Sequence, residues 1–337
     1  MSRTSSARST STARPASRAR RPAAALAAVL CCAALTATAC SSSSSDSADS
    51  SGSGKGTHTV DTAMGKVTVP DHPQRVVVLD TAELDSAITL GVKPVGATSA
   101  GTSSGFLDYL PKDEVAGIKD VGAIASPNLE AVAALHPDLI LSSKVRDGAH
   151  YDALRKIAPT VLTETTGAPW KANFQLHAAA LGRTAQAAAA VRAYDSHVAQ
   201  VTAALGGSAK AAATKVSMVR FVEGADIRLY GNASYIGTVL KDVGLARPAA
   251  QDVEQLSVDV SPEQIDKADG DALFYATYGD PEAAKETEVT AGPLWKHLTA
   301  VAAGRAHRVD DELWYQGIGY TAADKVLDEL QQDLTAG

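Results

Sequence analysis

Eight histidines are the residues of this 337-residue chain best suited to hold a metal or move a proton: His58, His72, His136, His150, His177, His197, His297 and His307. None stands in an HxH, HExxH or i,i+4 pair, the spacings that aim two imidazoles at one ion. Direct metal ligation is therefore not expected, and His136 and His307 read as satisfied residues at element ends. Nucleophilic chemistry fares no better, because no Ser/His/Asp order stands at a strand-to-helix turn. Its three cysteines, Cys31, Cys32 and Cys40, all precede the body of the chain, which therefore has no thiol nucleophile, disulfide or thiolate metal site. No P-loop or GxGxxG occurs, and "GNASYIG" lacks the glycine spacing of a phosphate cradle. Met64 and Met218 are the body's only methionines, and no His/Met haem pair is suggested. The carboxylates of "GDPEAAKETE" read as a solvated loop. No catalytic residue, and no enzyme, is expected.

Two acids are placed with more care. Ser126-Pro127 precedes Glu130, and Asp138 then opens "DLILSS"; Ser261-Pro262 precedes Glu263, and Asp271 then opens "DALFYAT". Cap, proline, acid, helix, aspartate and strand recur in that order in both halves, a weak sequence repeat but a clear repeat of design. An acid in the first turn stabilises a helix N-terminus by about 0.3–1 kcal/mol. A catalytic acid or a contact for another protein are the other readings open at this point.

The elements that must position such residues alternate along the chain. "RVVVLD" is a β-branched run suited to a strand buried on both faces, and residues 81–90 have helical spacing. Helix and strand recur through "LEAVAALHPDLIL" and "YDALRKIAPTVL", and again after residue 215, which predicts an α/β fold with parallel sheets. Between the halves, "WKANFQLHAAALGRTAQAAAAVRAYDSHVAQVTAAL" is alanine-rich with no internal proline. A continuous helix there would span about 50 Å, with Gly182 able to divide it. The predicted layout is an N-terminal α/β lobe over 57–168, an interlobe helix over 169–206 and a C-terminal α/β lobe over 207–337.

Ligands of parallel sheets sit outside the carboxyl ends of the strands. The loops expected there are 81–85, 97–109, 142–147 and 163–170 in the first half, and 223–235, 275–280 and 311–320 in the second. They hold Phe106, Tyr109, Trp170, Tyr230, Tyr235, Tyr278, Trp314, Tyr315 and Tyr320, although aromatics are only 5% of the chain. That concentration favours a binding wall, with Phe106, Tyr230, Tyr278, Trp314 and Tyr315 as candidate contacts. Trp170 and Tyr320 rank below them. Arg146, Arg220 and Arg228 are the candidate cationic groups, with Lys144 beside them.

The first 22 residues carry six arginines and no acid, and "AAALAAVLCCAALTATAC" follows. That is the build of a secretory signal over 1–39, and "ATAC" resembles a bacterial lipobox with Ala37 where such motifs carry leucine. Cys40 is then the lipidated residue, and an uncleaved membrane anchor is the alternative. Residues 40–56 are a Ser/Gly tether whose only apolar residue after Cys40 is Ala48. Without the six leader arginines, 25 basic residues face 38 acidic ones, a formal charge of −13. Such a body is a poor partner for nucleic acid. The expected location is extracytoplasmic, at the outer face of the cell membrane.

From Lys66 to Leu334 the chain resembles the iron-siderophore branch of ABC-transporter solute-binding proteins. The resemblance rests on "HPQRVVVLD", "LGVKPVGA", "SPNLEAVAALHPDLILSS", "LRKIAPTV", "VSPEQI" and "VDDELWYQGIGYTAADKVLDEL", in that order and spacing. It implies two Rossmann-like lobes with central parallel sheets, bridged by a long rigid helix, with the ligand in the interlobe cleft. It also implies that Glu130 and Glu263 dock on arginines of a permease dimer. The ligand is expected to be a ferric siderophore that already fills the iron's coordination sphere, so no cofactor is needed, and the receptor is expected to act as a monomer with little closure on binding. Polyanionic catecholates or polycarboxylates would call for several basic residues. "ELWYQGIGY", "SAGTSSGF" and "GAIASPN" have none, so a neutral or cationic ferric hydroxamate of ferrioxamine type is the expected class. A receptor of the same fold for a cobamide or haem is the alternative, and a chelatase-like enzyme a more distant one.

Overall fold

The computed structural model describes residues 56–101 and 105–335. The leader, Cys40 and most of the tether lie outside them. Among the described residues no helix is long and apolar enough to cross a membrane.

Thirteen strands are described: β1 (Thr57–Thr62), β2 (Gly65–Pro70), β3 (Val76–Val78), β4 (Gly96–Ser99), β5 (Lys119–Ala123), β6 (Ser126–Pro127), β7 (Leu139–Ser143), β8 (Thr160–Thr163), β9 (Val216–Val222), β10 (Ile227–Tyr230), β11 (Ser257–Val260), β12 (Ala272–Tyr278) and β13 (Ala306–Arg308). β1 and β2 form an antiparallel hairpin. The first main sheet has the order β6-β5-β4-β3-β7-β8 and is parallel except for the short edge strand β6. The second has the order β11-β10-β9-β12-β13, with β9, β12 and β13 parallel and β10 and β11 antiparallel. Val76, Val77 and Val78 are all buried, as expected of a central strand covered on both faces.

The repeated aspartates have a structural job. Asp138, just before β7, accepts the backbone N–H groups of Gln74 and Arg75 at 2.8 Å each, and so pins the entry to β3. Asp271, just before β12, accepts the N–H of Lys215 at 2.7 Å and pins the entry to β9. In both halves the aspartate clips the start of the neighbouring parallel strand, satisfying donors the sheet leaves free.

The connector is two helices, Trp170–Ala180 and Thr184–Ala204. Gly182 makes the break, with φ at +65°, and a Cβ there would lie 2.0 Å from the Asp71 carbonyl oxygen. Only glycine fits that close, left-handed turn. The final helix, Tyr320–Thr335, packs on the second connector helix and on the helix Thr81–Thr89 of the first half. One apolar core runs through these helices and both sheets. At its centre Trp170 meets Tyr194, Tyr235 and Tyr320 edge-on, with ring centroids 4.6–5.6 Å apart. Trp170 and Tyr320 are thus core residues of the junction rather than cleft walls.

Asp85 ties the same seam. It is fully buried and accepts the N–H groups of Thr321 and Ala322 at 3.1 and 3.0 Å, capping the final helix from the first half of the chain. Tyr109 Oη and Thr89 Oγ1 donate to it as well, at 2.9 and 3.1 Å. Burial pushes the Asp85 carboxyl above its ordinary pKa, and the donated hydrogen bonds oppose the rise.

Candidate functional site

The carboxyl ends of the two parallel strand sets face one another across a cavity of about 450 Å³. The first half contributes Asp80 and Thr81 after β3, Ser99 to Gly101 after β4, Ala123 and Ile124 after β5, and Arg146 after β7. The second half contributes Arg220 from β9, Tyr278 from β12, and Tyr315, Gln316 and Ile318. A wider space of about 810 Å³ adjoins it, sharing Gly101, Tyr278 and Gln316, and adds Glu223, Arg308, Asp310, Asp311 and Glu312. Together the two spaces are lined by five acids and three arginines.

Each half supplies one arginine held by an aspartate. In the first, Arg146 Nε donates to Asp80 Oδ2 at 2.9 Å. In the second, Arg220 grips Asp311 with Nε and Nη2, both at 2.6 Å, while Nη1 donates to Tyr230 Oη at 3.2 Å. The Arg220 guanidinium also lies 4.9 Å from the Tyr278 ring centre and 5.4 Å from that of Tyr315. Burial alone would lower its pKa, but the hydrogen bonds it donates to Asp311 and Tyr230, with the charge of Asp311, outweigh that and raise it. A planar cation paired in this bidentate way has fixed orientation. Burial pushes the Asp80 carboxyl up to about 6, with the nearby Glu83 adding to the rise and Arg146 opposing it.

Of the residues singled out in the sequence, the cavity brings together Arg146, Arg220, Tyr278 and Tyr315. Tyr278 is 43% exposed and forms an open wall. Tyr315 is mostly buried and donates to the Val219 carbonyl at 2.9 Å, so it offers ring surface rather than its hydroxyl. Tyr230 stands behind this layer, 4.8 Å from Tyr315 between ring centres, and supports Arg220. Phe106 lines a separate small crevice with Leu84, Leu107 and Leu110. Two expectations need correction. Trp314 is fully buried, stacked 4.8 Å from Phe274 and hydrogen-bonded to Glu329 at 2.5 Å, because a π-helical turn over Glu312–Gln316 carries it into the core. Arg228 lines neither space; it sits on β10, one strand further out than Arg220, 3.9 Å from Asp259. Asp80, Asp311 and Gln316 were not singled out, although "VVVLD" ends at a strand's carboxyl end, the position where ligands collect.

Glu130 and Glu263 lie away from this cleft, exposed in the first turns of Leu129–Ala134 and Pro262–Ala268. Asn128 caps the first of these by accepting the Ala131 N–H at 3.0 Å, so the helix start is satisfied without Glu130. A hydrogen bond from Ser261 and one from its own backbone hold Glu263 below the usual carboxylate range. Among the described residues no group of three or more His, Cys, Asp or Glu side chains is arranged to hold a metal ion.

A family model for periplasmic binding proteins matches residues 76–313. The chain is 38% identical over 289 residues to the probable siderophore-binding lipoprotein YfiY of Bacillus subtilis, covering 82% of this chain and 87% of that one. It is 30% identical over 293 residues to the Fe(3+)-citrate-binding protein YfmC of the same organism, covering 83% and 89%. Among solved structures, Staphylococcus aureus SirA complexed with staphyloferrin B superposes with a TM-score of 0.75 at 33% identity, over 82% of this chain and 98% of that one.

Proposed function

The chain belongs to the periplasmic binding protein family, and from that premise we propose that it is the ferric-siderophore receptor of an ABC importer, acting outside the cytoplasm. The observation that carries this reading is the cleft itself, in which both halves of the chain present an oriented arginine beside tyrosine faces. A siderophore occupies the iron's coordination sites, so the protein has only to bind the outside of the complex. Arginine N–H groups suit the iron-bound oxygens, which carry partial negative charge. The ring of Tyr278 suits the apolar parts of the chelate. Relatives with this family's fold carry names that include siderophore and ferric citrate binding, in keeping with an iron chelate as cargo.

Within that class, a neutral or cationic ferric hydroxamate fits the charge. Five acids against three arginines give the lining a net negative character, which repels a polyanion and attracts a cation. Fluorescence titration of the purified protein is expected to rank a ferric trihydroxamate above ferric enterobactin and ferric citrate. The reverse ranking overturns the hydroxamate class, and binding of none of them overturns the receptor reading. The remaining parts of the proposal are a lipid anchor at Cys40, two lobes over 57–168 and 207–337 with 169–206 as connector, and docking on a permease dimer through Glu130 and Glu263. Exposure of both acids, one in each half at matching positions, supports the docking role.

A further inference from the structure

The two cleft arginines are not equivalent. All three nitrogens of Arg220 already have protein acceptors, in Asp311 and Tyr230. Arg146 is held by Nε alone, to Asp80, and its side chain is 37% exposed on the cavity wall. Its two Nη groups have no protein acceptor among the described residues, so Arg146 keeps four N–H donors for a ligand against two on Arg220. Asp80 is in turn almost fully buried, with Oδ1 accepting the Thr81 N–H at 2.8 Å and Oδ2 accepting from Arg146.

Other charged groups around the pair are committed elsewhere. On the helix of Asp80, Glu83 faces His177 at 3.4 Å and Asp85 caps the final helix. On the helix of Arg146, Lys144 pairs with Glu164, and Asp147 with Ser142 and His150. Across the cavity Arg220 and Asp311 hold each other.

Resting on the receptor reading above, we propose that the Asp80–Arg146 pair determines which chelates the cleft accepts. Asp80 is the positioning residue: it orients Arg146 to donate to the chelate and cancels its charge. The cleft thereby offers directed hydrogen bonds without a net positive field, and polyanionic complexes are excluded. Because burial pushes the Asp80 carboxyl to about 6, with Glu83 adding and Arg146 opposing, acidification from pH 7 to 5 removes the cancelling charge.

The test uses two probes of opposite charge, the cationic ferric complex of desferrioxamine B and the anionic ferric citrate, titrated at pH 8 and pH 5. Asp80→Asn keeps an oxygen for the Thr81 N–H and removes one negative charge; Arg146→Gln removes one positive charge. The ratio of citrate to ferrioxamine affinity is expected to rise about tenfold in the first variant and fall about tenfold in the second at pH 8, the size of effect a unit charge has at several ångströms in a partly solvated site. At pH 5 the ratio of wild-type protein should approach that of Asp80→Asn measured at the same pH, and at pH 8 the two should stand apart. A merely structural role would weaken both probes alike and leave the ratio flat, which overturns the proposal while leaving the receptor reading in place. Should Asp80→Asn fail to fold, the wild-type pH series and Arg146→Gln decide the matter by the same criteria. Wild-type protein that binds neither probe removes both the receptor reading and this proposal.

Discussion

Replacing Asp85 with alanine should loosen the seam between the first sheet's helix and the end of the chain. Two N–H groups at the start of the final helix would lose their acceptor, as would the hydroxyls of Tyr109 and Thr89. Loss of a cap costs about 1 kcal/mol, and a buried hydroxyl left without a partner costs about 1–3 kcal/mol. Against this, the Asp85 carboxylate is itself desolvated, as its raised pKa records, and its removal returns part of the loss. The balance is a destabilisation of about 2–4 kcal/mol. In urea this should lower the unfolding midpoint by about 1 M, since a chain of this size has a slope of about 3 kcal/mol/M. Asp85→Asn retains one oxygen, enough for one of the two helix N–H groups, and should lose less than Asp85→Ala. The assay is urea unfolding at pH 7 followed by tryptophan emission and far-ultraviolet circular dichroism. A midpoint for Asp85→Ala indistinguishable from wild type would refute the reasoning, and so would equal losses in the two variants.

Three further outcomes are expected. Replacing Glu130 and Glu263 together with alanine should abolish uptake in cells while leaving chelate affinity unchanged in vitro; a large loss of affinity would mark them as ligand or fold residues instead. Gly182→Ala should cost about 1–3 kcal/mol, because a Cβ collides with the Asp71 carbonyl and φ is left-handed; a thermal midpoint unchanged from wild type contradicts this. Asp80 has its pKa raised from 3.8 to about 6. Its contribution to stability is therefore complete below about pH 4 and lost as pH rises through 6, by about 3 kcal/mol in all. Thermal melts from pH 5 to 8 should thus shift in favour of Asp80→Asn relative to wild type as pH rises, and a constant offset would sink the argument.

The alternation of buried strands and helices was legible because parallel strands covered on both faces read as β-branched runs, as in "RVVVLD". The paired design around Glu130 and Glu263 was legible too, since a clip such as Asp138 or Asp271 needs a fixed residue at a fixed place. Side-chain direction was not. "ELWYQ" has the composition of a ligand wall, but a π-helical turn sends Trp314 inward and leaves Tyr315 and Gln316 at the cleft. Arg220 and Arg228 face each other in register across two antiparallel strands, and only the strand order puts Arg220 next to β12. The partners Asp80 and Asp311 lie 66 and 91 residues from their arginines, beyond any local pattern. The break at Gly182 depends on the approach of Asp71, equally remote in the chain.

The three tryptophans, Trp170, Trp295 and Trp314, are 2%, 4% and 0% exposed, and none lines the cleft. An iron chelate that absorbs where they emit will therefore dim the protein by energy transfer across the interior, not by touching an indole. Emission loss then measures occupancy, and its depth measures distance and spectral overlap. Two chelates bound equally tightly will quench unequally if their colours differ. Affinities must accordingly be taken from where each curve bends, never from how far it falls.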